Sequence, residues 1–192
     1  DCIPVVFRPY HENTGGAFWW GALSCQPEDY KRLWQWTAEY MFTSGVHNML
    51  YAYSTDIFWS EEEYMLRYPG DEWVDIMGWD AYHRPQDWDF LKGMADMART
   101  VGNLAMAHHK IAALTETGLE SVFLDNWWTE YLLPSVRGNG LSWVLLWRNS
   151  QEMESHFFAP FKGHSSEEDF RRMVAEEDIL VVLLCIMQLK NM

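Results

Sequence analysis

Short apolar runs recur along the chain, and segments with helical spacing separate them. The runs are rich in β-branched and aromatic residues, which is typical of strands buried on both faces of a parallel sheet. Alternation of such strands with helices predicts an α/β fold made of βα units. The five predicted strands are residues 3–9, 48–54, 74–82, 110–116 and 141–149.

Helices are predicted between and after these strands. Residues 30–41 place apolar side chains on one face behind Pro27, a residue favoured in the first turn of a helix. Residues 87–101 repeat the pattern, and Ser165 with Glu168 has the spacing of a capping box before a third helix. We interpret these helices as the crossovers and the outer layer of the βα units.

No linker, low-complexity tract or charge block interrupts the series, so residues 1–177 are predicted to form one domain. Residues 178–192 differ in character, and we expect an atypical tail there. The apolar run at 179–187 is about half as long as a membrane span requires, so we expect no membrane span. Because the chain opens at Asp1 without a Met, we expect its natural start to lie upstream.

Polar side chains gather where four of the predicted strands end. The C-terminal strand ends of a β/α barrel form its active face, so these side chains are expected to share one cleft. The alternative is that they cap solvent-exposed loops. The four groups are residues 8–13, 80–82, 115–118 and 147–149.

The chain is acidic, with 28 Asp and Glu against 14 Lys and Arg in 192 residues. Its mean field disfavours polyphosphate, nucleic acid and anionic membranes as partners, and a neutral substrate fits better. The 12 Trp, 9 Tyr and 10 Phe suit stacking against sugar rings, although an aromatic-rich core would explain the same composition.

No metal or other cofactor is expected. Cys2, Cys25 and Cys185 lack metal-ligand spacing and are interpreted as free thiols. His108 and His109 follow a predicted helix and precede a predicted strand, which favours a helix-end role over metal binding.

Glu12 and Glu116 are the natural pair for acid–base chemistry. Each follows an apolar strand and stands beside small or turn-forming residues, a costly placement for a charge without a role. Glycoside hydrolysis needs two such groups, one to protonate the leaving oxygen and one to attack the anomeric carbon or activate water. The alternative is that each is an ordinary solvated surface charge.

The segment VVFRPYHENTG at 5–15, with FWWG at 18–21, resembles the fourth-strand signature of glycoside hydrolase family 26. Members of that family are chiefly endo-β-1,4-mannanases. The resemblance continues in order over residues 3 to 175. The other matching segments are 50–54, 68–71, 80–82, 113–118, 127–130, 147–149, 156–160 and 163–164.

The resemblance implies a (β/α)8 TIM-type barrel, of which the chain carries about five C-terminal βα units, strands four to eight. It implies that Glu12 is the acid/base and Glu116 the nucleophile of a double-displacement reaction that retains anomeric configuration. The two carboxyls are then expected about 5 to 6 Å apart. The pKa of Glu12 is expected to rise toward about 6 in a complete site and less in an open fragment.

The resemblance also implies which residues bind β-mannan or manno-oligosaccharides. Tyr82 is expected to donate a hydrogen bond to Glu116, and His11 to orient the sugar and the acid/base. Trp147 would form a stacking floor and Arg148 would hold the next sugar. Alternatively, Tyr82 and Trp147 are core aromatics and Arg148 pairs with a carboxylate. Further expected sugar contacts are Asp80, Asn149 and Trp19, with Trp19 or its neighbour Trp20 packing inward.

Two departures from the family pattern leave alternatives open. Ala17 stands where family members commonly carry a Trp, and three strands that normally precede the signature are absent. The same machinery could act on mixed-linkage β-glucan or β-1,3-xylan, or the chain could be a silent sugar-binding fragment. A polymeric substrate favours a secreted or periplasmic location.

Overall fold

The computed structural model describes residues 3–84 and 89–181. Cys2, Cys185, most of the expected tail and the start of the predicted helix at 87–101 lie outside these residues. Cys25 lies within them and is a free thiol, as predicted. None of the described helices has both the length and the apolar character that crossing a membrane takes.

One parallel sheet contains all five predicted strands in sequence order. Each strand pairs with the next one along the chain, and the order never reverses. An all-parallel sheet in sequential order is the arrangement of a β/α barrel. The strands are β1 Val5–Phe7, β2 Met49–Thr55, β3 Ile76–Tyr82, β4 Ile111–Gly118 and β5 Leu141–Leu146.

Helices follow the strands and cover the outer face of the sheet. Two long ones dominate, α1 Pro27–Thr43 and α3 Phe90–Ala107, and α3 extends beyond the predicted segment. A π-helical turn at Trp128–Leu132 leads directly into α4 Leu133–Val136. The remaining helices are α2 Glu61–Met65 and α5 Glu167–Val174.

The predicted capping box of Ser165 and Glu168 is wrong. Helix α5 begins at Glu167, after Ser166, and Ser166 makes no side-chain cap. The Ser166 hydroxyl instead accepts a hydrogen bond from the indole of Trp128 at 3.1 Å. Tertiary contact with that buried indole therefore replaces the local cap.

The core lies between the sheet and the helices and is strongly aromatic. Trp34, Tyr53, Trp79 and Trp127 have at most 1% of their surface exposed. Other large aromatics remain outside, such as Trp19 at 62% exposure. The aromatic composition is therefore explained in part by the core, and sugar stacking by the other rings stays a prediction.

The outer edges of β1 and β5 carry no further strand among the described residues. Side chains near the β1 edge are exposed, including Ile3 at 68%, Val6 at 49% and Leu50 at 40%. Apolar groups at an open edge of this kind can pair with another chain.

Candidate active site

Three carboxylates meet at the C-terminal end of the sheet. One oxygen from each of Glu12, Asp80 and Glu116 lies within 4.8 Å of the others. Glu12 follows β1, Asp80 lies in β3 and Glu116 lies in β4, so three strands bring them together. The strand ends therefore share one site, as the sequence predicted.

Glu116 is held by two donors and is only 4% exposed. The phenol of Tyr82 donates to Oε2 at 2.6 Å, which is the hydrogen bond expected from the sequence. The guanidinium of Arg8 donates to Oε1. Donors to both oxygens fix the orientation of the carboxylate.

A register shift turns Glu116 toward these donors. Trp79 pairs with Leu114, but the next pair is Asp80 with Glu116, so Thr115 is an extra residue in β4. Successive side chains in a regular strand point to opposite faces, whereas a bulge can place two neighbours on one side. Thr115 and Glu116 both reach the polar cluster around Asp80 and Arg8.

Asp80 is buried beneath the other two carboxylates. This burial contradicts the direct sugar contact expected for it. Its side chain has 0% exposure, so a glycan in the cleft cannot reach it. Nη1 of Arg8 donates to Oδ2 at 2.6 Å, and the Thr115 hydroxyl donates to Oδ1 at 2.6 Å. Burial raises the pKa of Asp80 to about 7, although Arg8 opposes the rise.

Arg8 is the functional residue that sequence reasoning missed. It bridges Asp80 and Glu116, and its Nη1 also donates to the Ser54 hydroxyl at 3.3 Å. The available signal was a cation directly after an apolar strand and four residues before Glu12. The carboxylate spacing would also suit a cation, but among the described residues Arg8 already supplies positive charge to two of the three.

The loop that carries Glu12 is anchored at three neighbouring residues. Trp20 donates its indole N–H to the carbonyl of His11 at 2.8 Å, and Tyr30 donates to the carbonyl of Tyr10 at 3.0 Å. The buried amide of Asn13 donates to the carbonyl of Ser54 at 2.9 Å.

Glu12 itself has φ of 52°, in the left-handed region that non-glycine residues rarely occupy. Such a conformation persists only when surrounding contacts hold it, and it commonly marks a functional site.

The pKa of Glu12 is raised into the neutral range. Burial raises its pKa to about 7, the carboxylates of Asp56 and Glu116 add to the rise, and Arg8 with Arg84 opposes it. The direction agrees with the sequence-based expectation. The smaller rise expected for an open fragment is not found, because burial within this chain is already the largest cause.

Of the two neighbouring tryptophans after Glu12, one packs inward and the other is exposed, as expected. Trp20 packs inward, stacked on Phe18 with ring centroids 4.5 Å apart, whereas Trp19 projects outward. His11 lies half-buried, 5.0 Å from the Phe18 ring, and burial followed by the charge of Arg8 lowers its pKa. Both effects favour the neutral imidazole of His11.

Beside the carboxylates lies an open cavity of about 220 Å³, here called the Trp147 cavity. Trp147 lines it together with Tyr82, as a stacking floor would. Arg148 is exposed outside this lining and makes no side-chain hydrogen bond or ion pair with the described residues, so the sugar contact expected for it stays a prediction. The other lining residues are His83, Arg84, Glu120, His156 and Phe158.

Asn149 holds a loop, and the sugar contact expected for this exposed residue stays a prediction. Its amide oxygen accepts from the backbone N–H groups of Phe158 and Ala159 at 2.9 and 3.0 Å. Its amide nitrogen donates to the Ala159 carbonyl at 2.9 Å. These bonds bring Phe158 against Tyr82, with ring centroids 5.6 Å apart, so Asn149 shapes the cavity indirectly.

His108 has the helix-end position predicted for it. It is the C-cap of α3, and its Nδ1 lies 2.8 Å from Oδ1 of Asp71. The contact joins the end of α3 to the loop before β3. It lies at the N-terminal end of the strands, opposite the end that carries the three carboxylates.

Sequence comparison identifies relatives of the chain. A sequence profile of glycosyl hydrolase family 26 matches residues 1–131. A mannan endo-1,4-beta-mannosidase of Bifidobacterium adolescentis is 38% identical over 191 residues, covering 88% of this chain and 19% of the relative. A mannan endo-1,4-beta-mannosidase of Bacillus subtilis is 39% identical over 88 residues, covering 42% of this chain and 24% of the relative.

Solved structures agree with this assignment. A family 26 β-mannanase from Bacteroides ovatus superposes with a TM-score of 0.87 at 42% identity, over 93% of this chain and 52% of that one. A family 26 protein from Muricauda gives 0.87 at 35% identity, over 93% and 50%. The chain thus spans about a fifth of the Bifidobacterium relative and about half of these solved chains. Its five strands match part of a (β/α)8 barrel, and the chain belongs to glycosyl hydrolase family 26.

Proposed function

We propose that the chain carries the catalytic centre of a retaining endo-β-1,4-mannanase, with Glu12 as acid/base and Glu116 as nucleophile. The observation that supports this most directly is the approach of the two carboxylates to within 4.8 Å. Retaining glycosidases hold the pair about 5 to 5.5 Å apart, whereas inverting enzymes leave about 6.5 to 9.5 Å for a water.

In the first step, Glu116 attacks the anomeric carbon and Glu12 gives its proton to the departing glycosidic oxygen. The C–O bond to the leaving sugar breaks, and a glycosyl ester forms on Glu116. In the second step, Glu12 removes a proton from water, the water attacks the anomeric carbon, and Glu116 leaves as a carboxylate.

The charges of the site suit this exchange of roles. Before the reaction, the negative charge of Glu116 helps to raise the pKa of Glu12 to about 7, so that Glu12 can hold a proton to donate near neutral pH. Esterification removes that charge. The pKa of Glu12 then falls, which favours the ionised form needed as a base.

Mannan is the proposed substrate because the sequence relatives are mannan endo-1,4-beta-mannosidases. The Trp147 cavity supports a neutral glycan, since Trp147 and Tyr82 offer aromatic faces to a sugar ring there. Galactomannan and glucomannan belong to the same proposal, and a polymeric substrate adds a secreted or periplasmic location to it.

The test is hydrolysis of galactomannan by the 192-residue chain and by a version completed with the complementary half of the Bacteroides ovatus barrel. We expect the anomeric proton signals of first-formed products to keep the β configuration. Glu116→Ala should abolish turnover, and Glu39→Ala, on the exposed face of α1, should not. First-formed α products, or hydrolysis only of mixed-linkage β-glucan or β-1,3-xylan, would contradict the proposal.

A further inference from the structure

His83 directly follows the Tyr82 that holds Glu116, and its ring lines the Trp147 cavity. Its backbone N–H donates to the carbonyl of Gly118 at 2.9 Å, which fastens the end of β3 to the end of β4. His83 is therefore a fixed part of the cavity wall.

The contact with Trp127 determines where the imidazole proton resides. The indole Nε1 of Trp127 lies 3.0 Å from Nδ1 of His83. An indole N–H can only donate, so Nδ1 must be the unprotonated acceptor. A neutral imidazole then carries its proton on Nε2.

Packing keeps the ring in this orientation and in this neutral form. The His83 ring stacks on Phe90 with centroids 4.4 Å apart and planes 14° apart, and Tyr131 lies 5.4 Å away. If Nδ1 were protonated, its N–H would point at the N–H of the fully buried Trp127 indole, and neither donor would have an acceptor there. Burial also lowers the pKa of His83.

The proton on Nε2 has no acceptor among residues 3–84 and 89–181. Nε2 makes no hydrogen bond with the described residues. It is also not one of the buried polar atoms without a partner, so it is open to solvent. Nε2 is therefore an accessible donor on a ring that lines the cavity.

We propose that His83 is a sugar-binding residue, which donates a hydrogen bond from Nε2 to a hydroxyl oxygen of the glycan in the Trp147 cavity. The inference rests on the proposed function and adds a specificity contact to it. A neutral donor suits a neutral hydroxyl, because no charge has to be desolvated when the sugar binds. Trp127 acts through His83, as a positioning residue that fixes the tautomer.

The direct test uses nitrogen NMR of the imidazole side chains, with mannopentaose as the probe and Glu116→Ala to prevent turnover. At pH 7 without ligand, His83 should show an unprotonated Nδ1 and a protonated Nε2 in both the unsubstituted and the Glu116→Ala chain. A protonated Nδ1 in either chain would overturn the inference.

Addition of mannopentaose should shift the His83 Nε2 resonance. If the Trp147 indole responds while His83 does not, the proposed function stands and the His83 inference fails. If no side chain in the cavity responds, both fail together.

Kinetics of the active, barrel-completed protein give a second test. His83→Phe keeps a ring against Phe90 but removes the donor, so kcat/KM should fall about tenfold. His83→Gln can present an N–H at a similar reach and should recover part of the loss. A purely structural role would lower thermal stability in both variants and leave KM unchanged, which would overturn the assignment.

Discussion

The phenolic oxygen of Tyr82 lies 2.6 Å from Oε2 of Glu116, at the ends of two adjacent strands. Tyr82→Phe should lower kcat about 10- to 100-fold, because the nucleophile loses a charge-assisted donor while the ring still packs against Phe158. Rates on galactomannan measure the loss. Unchanged rates would show that Arg8 alone positions the carboxylate.

Asp56 is expected to set part of the pH profile. It follows β2 and is the second cause, after burial, of the raised pKa of Glu12. Asp56→Asn should lower the pKa of Glu12 and move the alkaline limb of kcat/KM down by about half a pH unit. A pH series on the barrel-completed protein measures the shift. Glu39→Gln should leave the limb in place, and an equal shift in that control would contradict the assignment.

Glu12 is expected to lower the free energy of unfolding at neutral pH. Folding raises its pKa from the usual 4.5 to about 7, so between these pH values the folded chain binds more protons than the unfolded chain. The free energy of unfolding therefore falls as pH rises through this window.

Glu12→Gln keeps the shape of the side chain without the charge. At pH 8 this variant should be more stable by on the order of 1 kcal/mol, allowing for solvent screening, and about equal at pH 4. Urea denaturation at both pH values measures the difference. Equal stability at pH 8 would contradict the folded pKa, and hydrolysis should be lost in either case.

Arg8 is expected to be needed for folding as well as for catalysis. Arg8→Met leaves Asp80 and Glu116 buried without their cation, which should destabilise the chain by about 3 kcal/mol or more. Adding Asp80→Asn should recover part of the loss. Urea unfolding of the two variants measures this, and the exposed Arg32→Met is the matched control. Equal stability of Arg8→Met and the control would refute the bridge.

The open edges of the sheet are expected to make the 192-residue chain self-associate. Val6 and Leu50 are 49% and 40% exposed beside the outer edge of β1, which no strand of the described chain covers. Sedimentation should detect oligomers, and Val6→Lys should reduce them. The chain alone should hydrolyse galactomannan far more slowly than the barrel-completed version, because misplaced walls misorient the sugar. A monomeric and fully active chain would contradict both expectations.

The sequence predicted all five strands, their order and the pairing of Glu12 with Glu116, because apolar runs and strand-end polar groups are local signals. It did not predict the roles of Asp80 and Asn149, since burial of one and loop bonding by the other depend on residues distant in the chain. The failed cap at Ser165 has the same origin, because the Trp128 indole engages Ser166.

Strand β4 carries one residue more than β3 where Asp80 comes to pair with Glu116. If the pairing continued without this shift, Thr115 would lie opposite Asp80 and Glu116 opposite Ala81, and the two-residue alternation of a strand would turn the carboxylate toward the helices. A designer who idealised this strand pair would thus obtain a more regular sheet that had lost its nucleophile. Comparison of such barrels by strand alignment alone would likewise misplace the reactive group by one position.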